Sequence, residues 1–329
     1  MMKLDTAFLI GAGFSYPAGI PIMRDLVMDF PRILEGEEKR IYQELKELIP
    51  DIEEDFELLM ELCHDLKDAP ITLINRLAQR CFGEKFIDLE QLIKGAKRLD
   101  YHLKEYLRKK FRVERNKLKY LYPLAEWLKK TGAIIDIFSL NYDLVIEILC
   151  KEFSLSYTDG FLVNWNPCLF KDPKFQVKLY KLHGSFIWYQ SELGERIKIP
   201  ILGYRNNLRY LANDEMVSMM VYPRREKKEP FQELLKMFRE RLLTLERLVV
   251  IGYSFRDQEL RQFVEEGLRK NQSLRLELVS PHSMNLKASF TIPERIDCFQ
   301  GGVEEWIQIK WGKNKKRADN FAQKDQFFS

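Results

Sequence analysis

The chain has 329 residues, 46% hydrophobic and 31% charged, which is enough to bury a large core and ordinary for a globular protein. Lys plus Arg number 53 and Asp plus Glu 49, and the resulting formal net charge of +4 is too mild to mark a nucleic-acid binder by itself. The five cysteines, Cys63, Cys81, Cys150, Cys168 and Cys298, are odd in number and never at C-x-x-C spacing, which argues against a disulfide framework and a four-thiolate zinc site.

Those cysteines read as buried thiols in a reducing cytoplasm. The opening "MMKLDTAFLI" has neither the basic region nor the cleavage site of a signal peptide. No apolar run approaches the roughly 20 residues that span a bilayer. The sequence therefore predicts a soluble, cytoplasmic protein without a membrane partner.

In chain order, residues 7–10 read as a short buried strand. The loop "LIGAGFSYPAGIP" (9–21) follows, then a helix over 23–30. From 35 to 130 the pattern is helical almost throughout. "IEEDFELLMELCHDL" places Phe56, Leu59, Leu62, Cys63 and Leu66 on one face. Residues 133–138 read as a strand that ends in "SLNYD", with "LVIEILCKEF" as the helix after it. "VKLYKLHGS" is a strand ending at His183, and "IKIPILGY" and "VSMMVYP" are further short strands. "PFQELLKMFRERLLTLE" is a helix with Pro230 near its first turn. "RLVVIGYSF" is an apolar strand running into a glycine, and Asp257 opens the helix "DQELRQFVEEGLRKN" as a cap. "LRLELVSP" is one more strand, and "GGVEEWIQIK" is a closing helix.

Nearly all-apolar strands alternating with helices predict an α/β fold: a Rossmann-like parallel sheet with helices on both faces, plus a large helical insertion. The expected organisation is a core of 1–34 and 131–309, an insertion of 35–130, and a basic tail of 310–329. In such sheets ligands bind outside the carboxyl ends of the strands. Four strand ends carry polar residues or glycines. They hold Gly11, Gly13 and Ser15; Asn141 and Asp143; His183 with Gly184 and Ser185; and Gly252, Ser254 and Asp257.

The glycine loop does not fit the common nucleotide fingerprints. Tyr16 stands where G-x-G-x-x-G requires its third glycine, and no G-K-[ST] follows. Its longer string, Gly11-Ala12-Gly13-Phe14-Ser15 with Ala18-Gly19-Ile20-Pro21 and then Arg24, resembles the opening motif of the sirtuin superfamily. "SLNYD" resembles that family's Asn-x-Asp motif, and "KLHGS" resembles the motif of its catalytic histidine. "IGYSFRD" is similar to its glycine-serine turn, and "ELVSP" falls where its last strand meets the adenosine. These matches occur in family order over residues 7 to about 306.

Three departures set the chain apart from the protein deacylases. The paired C-x-x-C zinc module is missing, Ile22 and Met23 replace Asp-Phe, and Leu140 replaces the Gln before the Asn. The motifs look more like those of prokaryotic sirtuin-like proteins of antiphage defence. These include Thoeris effectors and the sirtuin-like partners of HerA-type ATPases and short Argonaute proteins.

The resemblance implies NAD as a substrate, with no zinc, cleaved at the nicotinamide–ribose bond to give nicotinamide and ADP-ribose. It implies His183 as the base, since imidazole titrates near neutrality. Asn141 would hold water and a ribose hydroxyl, and Asp143 would meet the carboxamide or the developing cation. Gly11, Ala12, Gly13, Ser15 and Pro21 would enclose the phosphates and ribose, with the next helix N-terminus helping. Arg24 would reach a ribose or phosphate, and Gly252, Ser254 and Asp257 would close the far side. Plainer readings stand beside these: a turn for Asn141 and His183, helix caps for Asp143 and Asp257, a surface arginine for Arg24. His64, His102 and His282 read as solvated, packed or loop residues.

NAD depletion implies regulation, by homo-oligomerisation through the helical insertion or by a defence partner, a HerA-type ATPase or an Argonaute-like protein. The alternatives are a non-catalytic subunit that senses NAD or ADP-ribose, and an NAD-dependent protein deacylase. "RKKFRVERNKLK" (108–119) and "KWGKNKKR" (310–317) would meet a nucleic-acid backbone, or are a solvated helix face and a disordered tail.

Overall fold

Strand β1 (Thr6–Ile10) is an apolar run whose Ala7, Phe8, Leu9 and Ile10 are all buried, as a strand covered on both faces must be. It belongs to a computed structural model that describes residues 5–68, 89–190, 194–199, 217–220 and 229–312. The same composition produces β2 (Ile135–Ser139), the short β3 (Tyr157–Thr158) and β4 (Val177–Lys181). After these come β5 (Gly184–Gln190), β6 (Arg196–Lys198), β7 (Val217–Met220), β8 (Arg247–Ile251), β9 (Arg275–Val279) and β10 (Ile296–Phe299).

Seven strands form one sheet in the order β10-β9-β8-β1-β2-β4-β3, and every pairing in it is parallel. The chain leaves β1 toward β2 on one side and returns to β8 on the other. β1 is therefore the switch point of the sheet, the place at whose carboxyl edge ligands bind in folds of this kind. The expected parallel sheet is thus present. Strands β3 and β10 were not anticipated. β5 continues directly from the His183 turn and pairs antiparallel with β6 and β7 in a second, three-stranded sheet.

Contacts divide the chain into two compact units. One comprises residues 1–20 and 113–329, the other Pro21–Arg112. The first contains both sheets. Its core joins Leu9, Phe138, Tyr180, Trp188, Phe238, Val250 and Leu276. Helix Tyr122–Thr131 belongs to this unit and not to the helical one, although the sequence placed the insertion at 35–130. Leu124, Ala125 and Leu128 bury its inner face, and Trp127 meets Trp311 of the closing helix with ring centroids 5.6 Å apart.

The second unit contains helices Gly36–Leu48, Phe56–Asp68 and Leu89–Lys110. Leu92, Ala96, Leu99, Leu103 and Tyr106 recur at helical spacing and are all buried. Phe56, Leu59 and Cys63 are buried as expected, with Met60 beside them, while Leu62 and Leu66 are only half-buried. Phe30, Phe56 and Tyr106 form an aromatic cluster, with Phe30 and Tyr106 centroids 5.3 Å apart.

The basic stretch 108–119 is ordered structure across the boundary of the two units. Lys110 pairs with Asp29 and Lys117 with Glu114, while Val113 and Leu118 are buried. The closing helix runs on through Lys310 and Trp311, and Lys310 pairs with Glu277 at 3.0 Å. The rest of the basic tail from 313, the predicted strand residues 200–204 and 221–223, Cys81 and the side chain of His64 lie outside the described residues. Cys168 is exposed, against the expectation of buried thiols. Among the described residues no helix is long and apolar enough to cross a membrane.

Candidate functional site

The carboxyl ends of β1, β2, β4 and β8 meet around the switch point. Gly11 N donates to Ile251 O at 3.0 Å, and Gly13 N donates to Gly252 O at 2.9 Å. Leu140 N reaches Ile10 O, and Leu182 N reaches Ser139 O. These bonds continue the sheet's pairing past its last regular residues, so the four loops leave from one level.

Gly11, Gly13 and Gly252 have a reason to be glycine inside the fold. A Cβ on Gly11 would lie 2.8 Å from Gly252 O, and one on Gly13 would lie 2.7 Å from Gly252 Cα. Gly252 has φ +62°, and its Cβ would meet Gly13 C at 2.4 Å. The sequence assigned the loop's close approach to phosphates; the close approach seen here is of one loop backbone to the other. Gly252→Ala is expected to cost about 2–4 kcal/mol, from left-handed backbone plus overpacking. Chemical denaturation of the variant against wild type measures this.

Ala12–Ser15 forms a single helical turn that passes into a 3-10 turn at Tyr16–Ala18. Ser15 is fully buried. Asn141 Nδ2 donates to Gly11 O and to Ser15 Oγ, both at 3.0 Å. A carbonyl oxygen only accepts, so the amide nitrogen must face it. Both amide hydrogens of Asn141 are therefore spent on the glycine loop, and only Oδ1 is left, as an acceptor.

Asp143 is not the N-cap weighed against its catalytic role: Leu144 holds that position, with Asp143 one residue before it. Asp143 Oδ1 accepts from Val145 N at 2.9 Å at the start of helix Val145–Phe153. Its backbone carbonyl accepts from Lys181 Nζ. Lys181 also lies 3.0 Å from Glu147 Oε1, and both side chains are 1% exposed. Burial pushes the Glu147 carboxyl above the usual carboxylate range, against the pull of Lys181. Sequence reasoning missed this pair. The signal was there: one acid inside the apolar "LVIEILC", and in "VKLYKLHG" the second of two lysines, Lys181, directly before Leu182 and His183.

His183 and Asp257 are brought together across 74 positions of sequence. His183 Nε2 lies 3.3 Å from Asp257 Oδ2, and both side chains are buried. Asp257 caps helix Gln258–Lys270 at the same time, its Oδ1 accepting from Glu259 N at 2.9 Å and Leu260 N at 3.3 Å. The Tyr142 ring centroid is 6.4 Å from that of His183. Between Gly252 and Asp257, buried Phe255 has φ +57°, a strained conformation for a bulky side chain and a common mark of functional loops. Ser254 is exposed. Ser185 Oγ, two residues from His183, is fully buried and has no hydrogen-bond partner among the described residues.

Pro21 and Arg24 belong to the helical unit, where Arg24 is exposed in the first turn of helix Met23–Asp29. His102 lies 3.7 Å from Glu38, and His282 is exposed. Tyr120 was not foreseen: its hydroxyl donates to Phe14 O at 2.7 Å and so pins the glycine loop from behind. Burial, with Asp143 and Glu304 adding, holds its phenol well above the usual range. Among the described residues no group of three or more His, Cys, Asp and Glu is placed to hold a metal ion.

Residues 136–289 match the SIR2-like domain family. The SIR2-like segment contains Asn141, Asp143, His183, Gly252, Ser254 and Asp257. The glycine loop lies before it and joins it through the bonds to Gly252 and Asn141. Among solved structures, a Sir2 homologue in complex with ADP-ribose is 13% identical at TM-score 0.47, covering 96% of this chain and 93% of its own. A Sir2 homologue in complex with NAD is 13% identical at TM-score 0.48, covering 95% and 90%. A Sir2 enzyme is 16% identical at TM-score 0.46, covering 97% and 94%. No curated protein matches in sequence.

Proposed function

We propose that this chain is a sirtuin-like NAD glycohydrolase that releases nicotinamide and ADP-ribose. The observation that carries this reading is the convergence at the switch point of β1: an Asp257–His183 pair beside an Asn141 fixed by Gly11 and Ser15. A buried imidazole backed by a carboxylate is the arrangement of a general base. The unpartnered, buried Ser185 Oγ beside it also suits a site that receives a polar ligand.

In the reaction, the bond between ribose C1' and the nicotinamide nitrogen breaks, and its electron pair leaves with neutral nicotinamide. Water supplies the oxygen that bonds to C1', and its proton passes to His183. Asn141 Oδ1 accepts from that water or from a ribose hydroxyl. Asp143 adds negative charge near the cation that develops on the ribose. Gly252, Ser254 and the loop Gly11–Ser15 enclose the rest of the dinucleotide.

Ile22, Met23 and Leu140, together with the missing C-x-x-C pairs, support the antiphage-defence branch over the deacylases. In that branch NAD depletion would act in the cytoplasm and would be held in check until an oligomer or a HerA-type or Argonaute-like partner assembles. One observation favours a second reading, a sensor of NAD or ADP-ribose: both amide hydrogens of Asn141 are spent within the fold.

Incubation of the protein with NAD, with and without an acyl-lysine peptide, separates the readings. The hydrolase gives nicotinamide and free ADP-ribose without peptide. Calorimetric ADP-ribose binding with no turnover under any activating condition would leave the sensor. Product that appears only with peptide, bearing its acyl group, would be a deacylase.

A further inference from the structure

We infer that Asp257 sets the tautomer of His183, so that Nδ1 and not Nε2 is the atom that takes the proton. The two oxygens of Asp257 have separate tasks. Oδ1 accepts from the Glu259 and Leu260 N–H groups at the head of helix Gln258–Lys270, and Oδ2 faces His183 Nε2. An ionised carboxylate has acceptors only. The ring nitrogen that faces it must carry a hydrogen, which leaves the lone pair of a neutral imidazole on Nδ1. Because the other oxygen is fixed by two backbone donors, the carboxylate cannot turn away. The helix head thus holds the carboxylate, and the carboxylate holds the ring. Asp257 is a positioning residue on this account and need not touch the substrate.

Asp257→Asn tests this with little change of shape. Asparagine caps helices about as well as aspartate, and its one carbonyl oxygen must stay on the Glu259 and Leu260 N–H groups. Its NH2 group then faces His183 Nε2 as a donor. The imidazole must accept at Nε2 and carry its hydrogen on Nδ1, the opposite tautomer. In a catalytic triad the same inversion costs roughly 10⁴-fold in rate.

The test has a spectroscopic and a kinetic arm. 15N-histidine spectra of the free, full-length protein, with His183 assigned by its loss in His183→Gln, should show wild-type Nδ1 unprotonated and Nε2 protonated. D257N should exchange the two signals while its melting temperature stays near wild type. Nicotinamide release should fall about 10²–10⁴-fold in kcat, with ADP-ribose affinity changed little. The kinetic arm rests on the proposed hydrolysis; the spectra do not, so the two can fail separately. A wild-type His183 protonated on Nδ1, or a D257N spectrum with the wild-type tautomer, would overturn the inference, and the wild-type spectrum alone decides even if D257N fails to fold. An inverted tautomer with undiminished turnover would overturn the role of Nδ1 as the base.

Discussion

Nicotinamide release is expected to fall about 10²–10⁴-fold when His183 is replaced by alanine, the range that one general base supplies. Two of its neighbours are already engaged within the fold. Asn141 has only an acceptor oxygen to offer, and Asp143 is engaged at the head of helix Val145–Phe153. The substitution also removes the His183 contact from buried Asp257 Oδ2, so some loss of stability accompanies it. His183→Gln separates the two effects, because a glutamine amide can still donate to Asp257 but does not accept a proton at neutral pH. Both variants should bind ADP-ribose within several-fold of wild type. Equal turnover in wild type and His183→Gln would remove His183 from the chemistry.

Lys181→Met should destabilise the fold by about 3–5 kcal/mol, the usual result of stripping a buried carboxylate of its cation. Lys181 and Glu147 are each almost completely enclosed, and Lys181 ties the Asp143 carbonyl to the end of β4 two residues before His183. Replacing both partners, Lys181→Met with Glu147→Leu, should restore most of that loss, since the carboxylate no longer needs a charge beside it. The sign of the pH dependence follows from the upward shift at Glu147. A carboxyl group whose pKa is raised on folding contributes stability below its unfolded value and loses it as pH rises through the folded value. Without Lys181 the upward shift grows, so Lys181→Met should be closer to wild type at about pH 5 than at about pH 8. Denaturant titration of the four forms at both values measures the cycle.

The strands around the site were legible because each is a short apolar run ended by a polar turn: β1, β2, β4, β8 and β9 all follow that rule. β3 has only two residues and β10 begins in mixed polarity, so neither carries a period that can be read. The sequence could place Asn141, His183 and Asp257 at strand ends but could not show which atoms they spend on one another. That is settled by contacts across 74 and 130 positions. The glycines were read for a ligand and are needed first for each other, because backbone against backbone leaves no trace in spacing. Lys181 and Glu147 lie on separate elements 34 positions apart, and only the fold brings them to 3.0 Å.

The central claim is that this chain breaks NAD with His183 as the base. Its most direct test is a time course of NAD consumption by the purified full-length protein, under each activating condition, followed by mass spectrometry beside His183→Gln. The account predicts nicotinamide and ADP-ribose in equal amounts from wild type and a rate lower by about two orders of magnitude or more from the variant. Equal turnover in both, or NAD left intact by the wild type throughout, would contradict it.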